Sequence, residues 1–141
     1  ALIDTGFFDP LKLLLQKGRI RPSEEAIWTY FTMAPASIER AKQHINMATV
    51  DLYWAAVDAA HAALMYHGEV PPTPADVASI MNEKLVKTGH LEKKYVDVMR
   101  HLYQLSKKVL HREIKEISGE KYDYYKNLTV DFVKRMQKIV K

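Results

Sequence analysis

Proline placement and residue periodicity limit this chain to an all-helical fold. All six prolines lie at or before Pro74, so no proline interrupts the second half of the chain. No stretch shows the sustained two-residue alternation and β-branched enrichment that indicate a half-buried strand. Apolar residues instead recur every three or four positions, as they do along an amphipathic helix. The sequence therefore predicts an all-α fold.

Capping residues predict where the first helices begin and end. Asp9, which is followed by proline, is a typical N-cap, and Gly18 closes the short helix that it starts. Ser23 is expected to cap a second short helix. We expect Pro35 to interrupt that helix, because proline removes a helical hydrogen bond. Residues 1–36 are thus predicted to form a helical N-terminal extension or linker.

A bundle of longer helices is predicted for residues 37–141. Its first helix covers residues 37–67, and a shorter one covers residues 73–89. A basic helix and a last amphipathic helix, which begins after Gly119, complete the set. The predicted architecture is an up-and-down bundle of four to five main helices.

Composition excludes several classes of protein. A chain of 141 residues with 48% hydrophobic residues is large and apolar enough to form one core. No apolar run reaches the roughly 18 residues that a membrane span needs, so no membrane partner is predicted. The absence of cysteine excludes disulfides and thiolate metal sites and favours a cytoplasmic location. Because the first residue is Ala rather than Met, we expect further sequence upstream.

The charge is distributed unevenly along the chain. Residues 1–83 hold 6 Lys or Arg and 10 Asp or Glu, a balance of −4, whereas residues 84–141 hold 15 and 7, a balance of +8. Such segregation favours nucleic acid, a nucleotide or an acidic protein as the partner of the second half. Two alternatives stay open: a basic face that is merely solvated, and a homodimer in which the acidic half meets the basic half.

Residues 100–115 are predicted to form one helix with a dense cationic face. Like charges three or four residues apart on a helix repel one another, so a helix that carries them often has an anionic partner. We therefore predict a nucleotide or RNA partner for this face. The predicted contacts are Arg100, Lys107, Lys108, His111, Arg112 and Lys115, with Tyr103 or Gln104 as neighbours that stack or hydrogen-bond.

The long helix over residues 37–67 carries a seam of small residues, which predicts close packing against other helices. The predicted seam includes Ala41, Ala48, Ala55, Ala59 and Ala62. Because the segment 52–65 is apolar on nearly all sides, we expect it to be surrounded by the bundle.

Three polar residues in this helix form a candidate polar site in the core: Asp51, Asp58 and His61. They are either an acid/base or metal constellation, or polar groups hydrogen-bonded at a helix junction or dimer interface. The ligands are too few for a metal site, so no metal is predicted. The sequence also lacks a glycine-rich phosphate loop and a Gly-x-Ser-x-Gly turn, and no cofactor is predicted.

Two stretches resemble the HEPN family (higher eukaryotes and prokaryotes nucleotide-binding), whose members are small helical bundles found beside or fused to nucleotidyltransferase domains. They are DLYWAAVDAAHAALMYHGEVPPTPADV and GEKYDYYKNLTVDFVKRMQKIV. The resemblance covers about residues 37–141. The first 36 residues are similar to the tail that joins some nucleotidyltransferase domains to such a bundle. The resemblance therefore implies a nucleotidyltransferase partner or a fused upstream domain.

Many members of that family are ribonucleases, in which an arginine precedes a histidine by four to six residues. The nearest match here runs from Ser106 to His111, so Ser106 stands where the arginine is expected. The resemblance implies His111 as the catalytic base. Lys107 or Lys108 would have to replace the arginine as a point charge, without its bidentate geometry.

The sequence thus predicts a nucleotide- or nucleic-acid-binding module, expected to be a homodimer. One alternative is a degenerate, toxin-like ribonuclease that uses His111 without a metal. The other is a scaffold whose basic helix binds an acidic protein face.

Overall fold

A computed structural model of the chain describes residues 22–70 and 72–140. Within these ranges all regular structure is helical, which confirms the predicted all-α class. Four α-helices follow one another: α1 (Glu24–Tyr66), α2 (Val77–Met81), α3 (Lys93–Leu110) and α4 (Gly119–Val140). Helix α2 is preceded by a 3₁₀ turn, Pro74–Asp76, and continues into a π-helical turn, Asn82–Val86. None of the helices in these ranges is long and apolar enough to cross a membrane.

Helix α1 begins where predicted but does not stop at Pro35. The Ala26 N–H donates to Ser23 Oγ at 3.0 Å, which confirms Ser23 as the capping residue. The helix then continues through Pro35 to Tyr66, so the predicted interruption is wrong. A proline inside a helix costs about 3 kcal/mol, because it removes one hydrogen bond and crowds one carbonyl. The residues around it are exposed, so that carbonyl faces solvent and the helix continues.

By its internal contacts the chain divides into Ala1–Arg40 and Ala41–Lys141. All described residues of the first unit, 22–40, are exposed. They include the large apolar side chains Ile27, Trp28, Tyr30, Phe31, Met33 and Ile38. The predicted domain boundary at residue 36 stays a prediction.

The core of the second unit lies between the second half of α1 and the other three helices. Phe132 of α4 is completely buried at its centre, and its ring meets Tyr95 of α3 edge-on at 6.2 Å. Helix α1 contributes Ala56, Ala60 and Ala63, which are also fully buried. These side chains are small enough to let the neighbouring helices approach closely.

The buried seam of α1 is therefore displaced by one residue from the predicted one. Ala55 and Ala62 are exposed, whereas Ala56 and Ala63 are buried. One residue corresponds to about 100° around a helix, so a different face meets the core. The opposite face is open to solvent and includes Trp54 and Met65. The prediction that the segment 52–65 is surrounded by other helices is wrong.

Helix α3 is shorter than predicted, because it ends at Leu110 rather than near residue 115. Arg112 adopts a left-handed conformation, with φ of 60°. The Glu113 N–H then donates to the Lys108 carbonyl at 2.8 Å, which is the hydrogen bond of a Schellman motif.

The chain after α3 returns to α1. Asn46 Nδ2 donates to the Lys115 carbonyl at 3.0 Å, and Ile117 is buried with Val50 and Val109. Ser118 then caps α4, since its Oγ accepts from the Lys121 N–H at 3.1 Å. These contacts hold the end of α3 and the start of α4 against the first helix.

Candidate functional site

A pocket of about 390 Å³ opens between α1, the turn at Thr73–Ala75 and α3. Its volume is in the range of small-molecule sites, about 300 to 1,000 Å³. The pocket combines aromatic rings, an ammonium group, an imidazole and a proline. It is lined by Tyr53, Trp54, Thr73, Pro74, Ala75, Tyr103, Ser106, Lys107, Leu110 and His111.

Three aromatic rings form one side of this pocket. Tyr53 packs edge-on against Tyr103, with centroids 5.8 Å apart, and lies 5.1 Å from the Trp54 ring. Trp54 is 45% exposed, so a large part of its ring is available to a ligand. The Lys107 ammonium lies 5.4 Å from the centre of the Tyr103 ring, within the range of a cation–π interaction. The pocket thus presents flat apolar surfaces beside a positive charge.

The Tyr53 hydroxyl is the most unusual polar group in the pocket wall. The residue is only 3% exposed, and its Oη has no hydrogen-bond partner among the residues that the structure describes. Burial, together with the neighbouring Tyr103, raises the pKa of Tyr53 to about 12. The phenol is therefore neutral at physiological pH and is able both to donate and to accept a hydrogen bond.

A second, smaller depression of about 200 Å³ lies on the other side of Tyr103. It shares Pro74, Ala75 and Tyr103 with the first and adds Arg100 and Gln104. Arg100 and Lys107 are two helical turns apart, about 10 Å along the axis, with Tyr103 between them. The two depressions form one elongated surface with a cation on either side of a tyrosine.

The structure separates the six predicted contact residues into two groups. Arg100, Lys107 and His111 line the two depressions. Lys108 points about 100° away from Lys107 around the helix axis and lines neither of them.

Arg112 and Lys115 follow the end of α3, so the prediction of one helical ridge from residue 100 to residue 115 is wrong. The physical reason is the burial of Ile117 against α1, which requires the chain to leave the helix first. All six residues are nevertheless exposed. Within residues 22–70 and 72–140, the five cations Arg100, Lys107, Lys108, Arg112 and Lys115 form no ion pair.

The structure does not bring Asp51, Asp58 and His61 together as a polar site in the core. Asp51 and Asp58 are exposed, so their predicted place in the core is wrong. The displaced seam of α1 explains this, because it turns both carboxylates outwards. His61 is half-buried, with a buried Nε2 that has no hydrogen-bond partner in the described part of the chain. No group of three or more metal-ligating side chains occurs among these residues.

Ser106, which stands in place of the expected arginine, has a structural role. It is 3% exposed, and its Oγ donates to the Tyr103 carbonyl at 2.9 Å. This hydrogen bond places the hydroxyl within the helix rather than towards a ligand. His111 is exposed at the end of α3 and lines the same pocket as Lys107.

Sequence reasoning missed the part of the pocket that α1 and the turn supply. Tyr53 and Trp54 were assigned no role, and neither were Pro74 and Ala75. An adjacent pair of aromatic residues in an alanine-rich helix was the available signal. Fifty positions separate Tyr53 from Tyr103, and no local pattern shows that such distant residues meet.

Comparison of the chain with protein-family models, with curated proteins and with solved structures yields no match. The resemblance to the HEPN family therefore stays a prediction. The chemistry of the site follows from its own side chains: aromatic rings packed edge-on or tilted, a buried phenol, and cations on both sides of Tyr103.

Proposed function

We propose that the chain binds a nucleotide or single-stranded RNA on the elongated surface of α3. One observation carries the proposal: Tyr53, Trp54 and Tyr103 line the same pocket as Lys107. Bases stack on aromatic side chains, and phosphates pair with cations beside them. In this arrangement a base occupies the aromatic pocket, and Lys107 and Arg100 contact phosphates on either side of Tyr103.

The charge of the chain supports a polyanionic ligand. The strong positive balance of residues 84–141 includes all the cations of α3. Those of its exposed face form no ion pair within the described ranges, so they are available to phosphate. Cationic surfaces also accelerate the encounter with charged ligands.

The resemblance to the HEPN family is consistent with this function. It adds the proposal that the bundle serves as an accessory module or partner of a nucleotidyltransferase, in the cytoplasm, and acts as a homodimer. These statements rest on the resemblance alone. The pocket and its cations support ligand binding but do not identify the protein partner.

Two adjacent lysines provide a matched test. Lys107→Gln removes a charge that lines the pocket, whereas Lys108→Gln removes one that does not. We expect Lys107→Gln to weaken binding of a short single-stranded RNA about tenfold, the equivalent of one charge-assisted contact. It should also reduce the slope of log affinity against log salt by about 1. Lys108→Gln should change the affinity less than about threefold on the same scale.

The measurement is fluorescence anisotropy of a labelled RNA, and of a labelled nucleotide, between 50 and 200 mM salt. Equal losses in the two variants would show that only diffuse charge matters and would contradict a pocket. Binding that is absent, or that does not respond to salt, would favour the protein-interaction scaffold.

Ribonuclease activity is a second candidate function, because His111 and Lys107 line the same pocket. Histidine is a suitable general base for an RNA 2′-hydroxyl. The buried Ser106 leaves the expected arginine contact to the scissile phosphate unfilled. The test is a cleavage assay on unstructured RNA. Cleavage by the native chain that disappears in His111→Ala would establish this function.

A further inference from the structure

A second cationic cavity lies at the C-terminal end of α1, about 20 Å along the helix from Tyr53. Its volume is about 420 Å³. It shares no residue with the surface on α3. The lining residues are Tyr66, His67, Gly89, His90, Arg135, Lys138 and Ile139.

Two helix ends bring the histidines of this cavity close together, with their rings tilted by 43°. His67 follows the last residue of α1, and Gly68 next to it has φ of 85°. His90 follows Gly89, which has the same φ, and its N–H donates to the Leu85 carbonyl at 2.8 Å. Both are Schellman-type helix ends, at which glycine tolerates the left-handed conformation. The two imidazole rings lie 4.5 Å apart.

Arg135 of α4 holds the turn that carries His90. Its Nη2 donates to the His90 carbonyl at 2.9 Å, and its Nε donates to Glu92 Oε1 at the same distance. This hydrogen bond lowers the pKa of the Glu92 carboxyl. Glu69 lies two residues after His67, and its carboxylate is 3.8 Å from Lys84. Both nearby carboxylates therefore face a cation already, and neither lines the cavity.

The remaining charges in the cavity are those of Lys138 and the two imidazoles. Lys138 forms no ion pair in the described part of the chain. The C-terminal end of a helix carries about half a negative charge, and helices α1 and α4 and the π-helical turn all end here. Lys138 offsets most but not all of the charge of these three helix ends, about −1.5 in total, when the imidazoles are neutral. Protonation of both His67 and His90 then makes the net charge of the cavity positive.

A metal ion does not fit this environment. Two imidazoles are the only metal ligands that line the cavity, and Arg135 and Lys138 repel a cation. A tetrahedral oxyanion fits it well, because imidazolium and ammonium groups donate hydrogen bonds to phosphate oxygens. The volume exceeds that of one phosphate, so part of a larger molecule has room beside it.

We propose that this cavity binds the phosphate group of a small phosphorylated molecule and binds it more tightly when His67 and His90 are protonated. The titratable and charged groups around the two rings come from several elements. They are Tyr66 on α1 and Glu69 after it, Lys84 in the π-helical turn, Glu92 after that turn, and Arg135 and Lys138 on α4. The proposal does not depend on the function of the α3 surface.

Sulfate is a suitable first probe, since its charge is constant between pH 5.5 and 8.0. The full chain is titrated with sodium sulfate at constant ionic strength, and binding is followed by thermal shift and by the imidazole signals in NMR spectra. We expect the affinity for sulfate to be at least about tenfold higher at pH 5.5 than at pH 8.0. A tenfold difference corresponds to about one charge-assisted hydrogen bond. Inorganic phosphate and glycerol phosphate at pH 5.5 distinguish a free anion from a phosphate ester, and the ester should bind more tightly.

Variants of two residues that line the cavity, and of one nearby residue that does not, test the site itself. Lys138→Gln and His90→Gln should each weaken sulfate binding about tenfold at pH 5.5. Lys134→Gln is the control, because Lys134 is an exposed lysine of the same helix that does not line the cavity. Lys138 is also exposed, so Lys138→Gln should fold normally. It therefore still tests the site if His90→Gln fails to fold. The proposal is overturned if sulfate has no saturable effect at pH 5.5. It is equally overturned if Lys138→Gln binds sulfate like the control, or if zinc stabilises the chain while sulfate does not.

Discussion

In residues 22–70 and 72–140, the buried serine and threonine hydroxyls donate to a backbone carbonyl three or four residues earlier, whereas the buried Tyr53 hydroxyl does not. Thr49 donates to the Ile45 carbonyl at 3.0 Å, and Thr129 donates to that of Tyr125 at 2.8 Å. The Tyr53 hydroxyl has no such partner among the residues described. An unsatisfied buried polar group costs roughly 1–3 kcal/mol. This cost falls on the fold alone, because the oxygen has almost no exposed surface through which to contact a ligand.

Replacing Tyr53 by Phe is therefore expected to raise stability and leave binding nearly unchanged. Removal of the unsatisfied hydroxyl should increase the free energy of unfolding by about 1 kcal/mol at pH 7. The affinity for RNA or nucleotide should change little, because the hydroxyl oxygen is buried beneath the pocket surface and the aromatic ring is kept. Urea denaturation and fluorescence anisotropy measure the two effects. A variant that is less stable would show that the hydroxyl has a partner in the fold.

The pKa of Tyr53 gives the same variant a signature at high pH. A folded-state pKa of about 12 lies above the ordinary value of 10, so the folded chain holds the phenol proton more tightly. The corresponding stability is fully present below pH 10 and is lost as the pH rises through about 12. The loss amounts to about 3 kcal/mol in the native chain, for a pKa difference of two, and is absent from Tyr53→Phe.

The end of α3 shows how a helix stops without glycine. Arg112 occupies the left-handed position where glycine is usual, and this conformation costs a non-glycine residue about 1–2 kcal/mol. The burial of Ile117 with Val50 and Val109 offsets that cost, because it requires the chain to turn back towards α1. Lys107 and Lys108 lie in the last turn, where the helix dipole favours cations. Repulsion between them is thus partly compensated even without an anionic ligand.

Arg112→Gly is expected to stabilise the chain by about 1 kcal/mol, since glycine adopts this conformation without strain. Arg112→Ala is the matched control: it removes the same side chain but keeps the strain, so it should not stabilise. Chemical denaturation of both variants measures the difference. Equal stability of the two would contradict strain at this position. Because Arg112 lines neither depression on α3, RNA binding should change little in either variant.

The chain divides into two units, of which the second contains a hydrophobic core. The described residues of the first unit contribute no buried side chain. All buried apolar side chains of the described ranges lie between Val50 and Ile139. The described residues up to Arg40 are exposed and carry several large apolar side chains. The stability of the second unit should therefore depend little on the first.

A chain that begins at Ser37 is expected to unfold cooperatively. Its free energy of unfolding should lie within about 1 kcal/mol of that of the full chain, because none of the described residues that it lacks, 22–36, is buried. A chain that begins at Asp51 is the control, since it also lacks Val50 and the Asn46 amide that binds the Lys115 carbonyl. It should be less stable by several kcal/mol, about 2 or more for the cavity alone. Urea denaturation measures both, and a non-cooperative transition of the longer fragment would show that the extension belongs to the fold.

Short-range patterns were sufficient to predict the helices and most of their ends. Ser23 and Thr73 each stand where a helix or its first turn begins, and Gly89 closes the turn after α2, as expected. Such signals are local, because a cap or a left-handed glycine acts within about one helical turn. The all-helical class followed from the same information.

The packing of these helices was beyond local patterns. Two alanine series on α1, one residue apart, both match the helical period, and only contact with the other helices selects the one that contains Ala56. The same contacts turned Asp51 and Asp58 outwards and ended α3 before Arg112. The pocket joins Tyr53 to Tyr103 across fifty positions, because α1 and α3 pack side by side. Spacing along the chain sets which face a residue occupies on its own helix, whereas burial of apolar surface sets which faces meet.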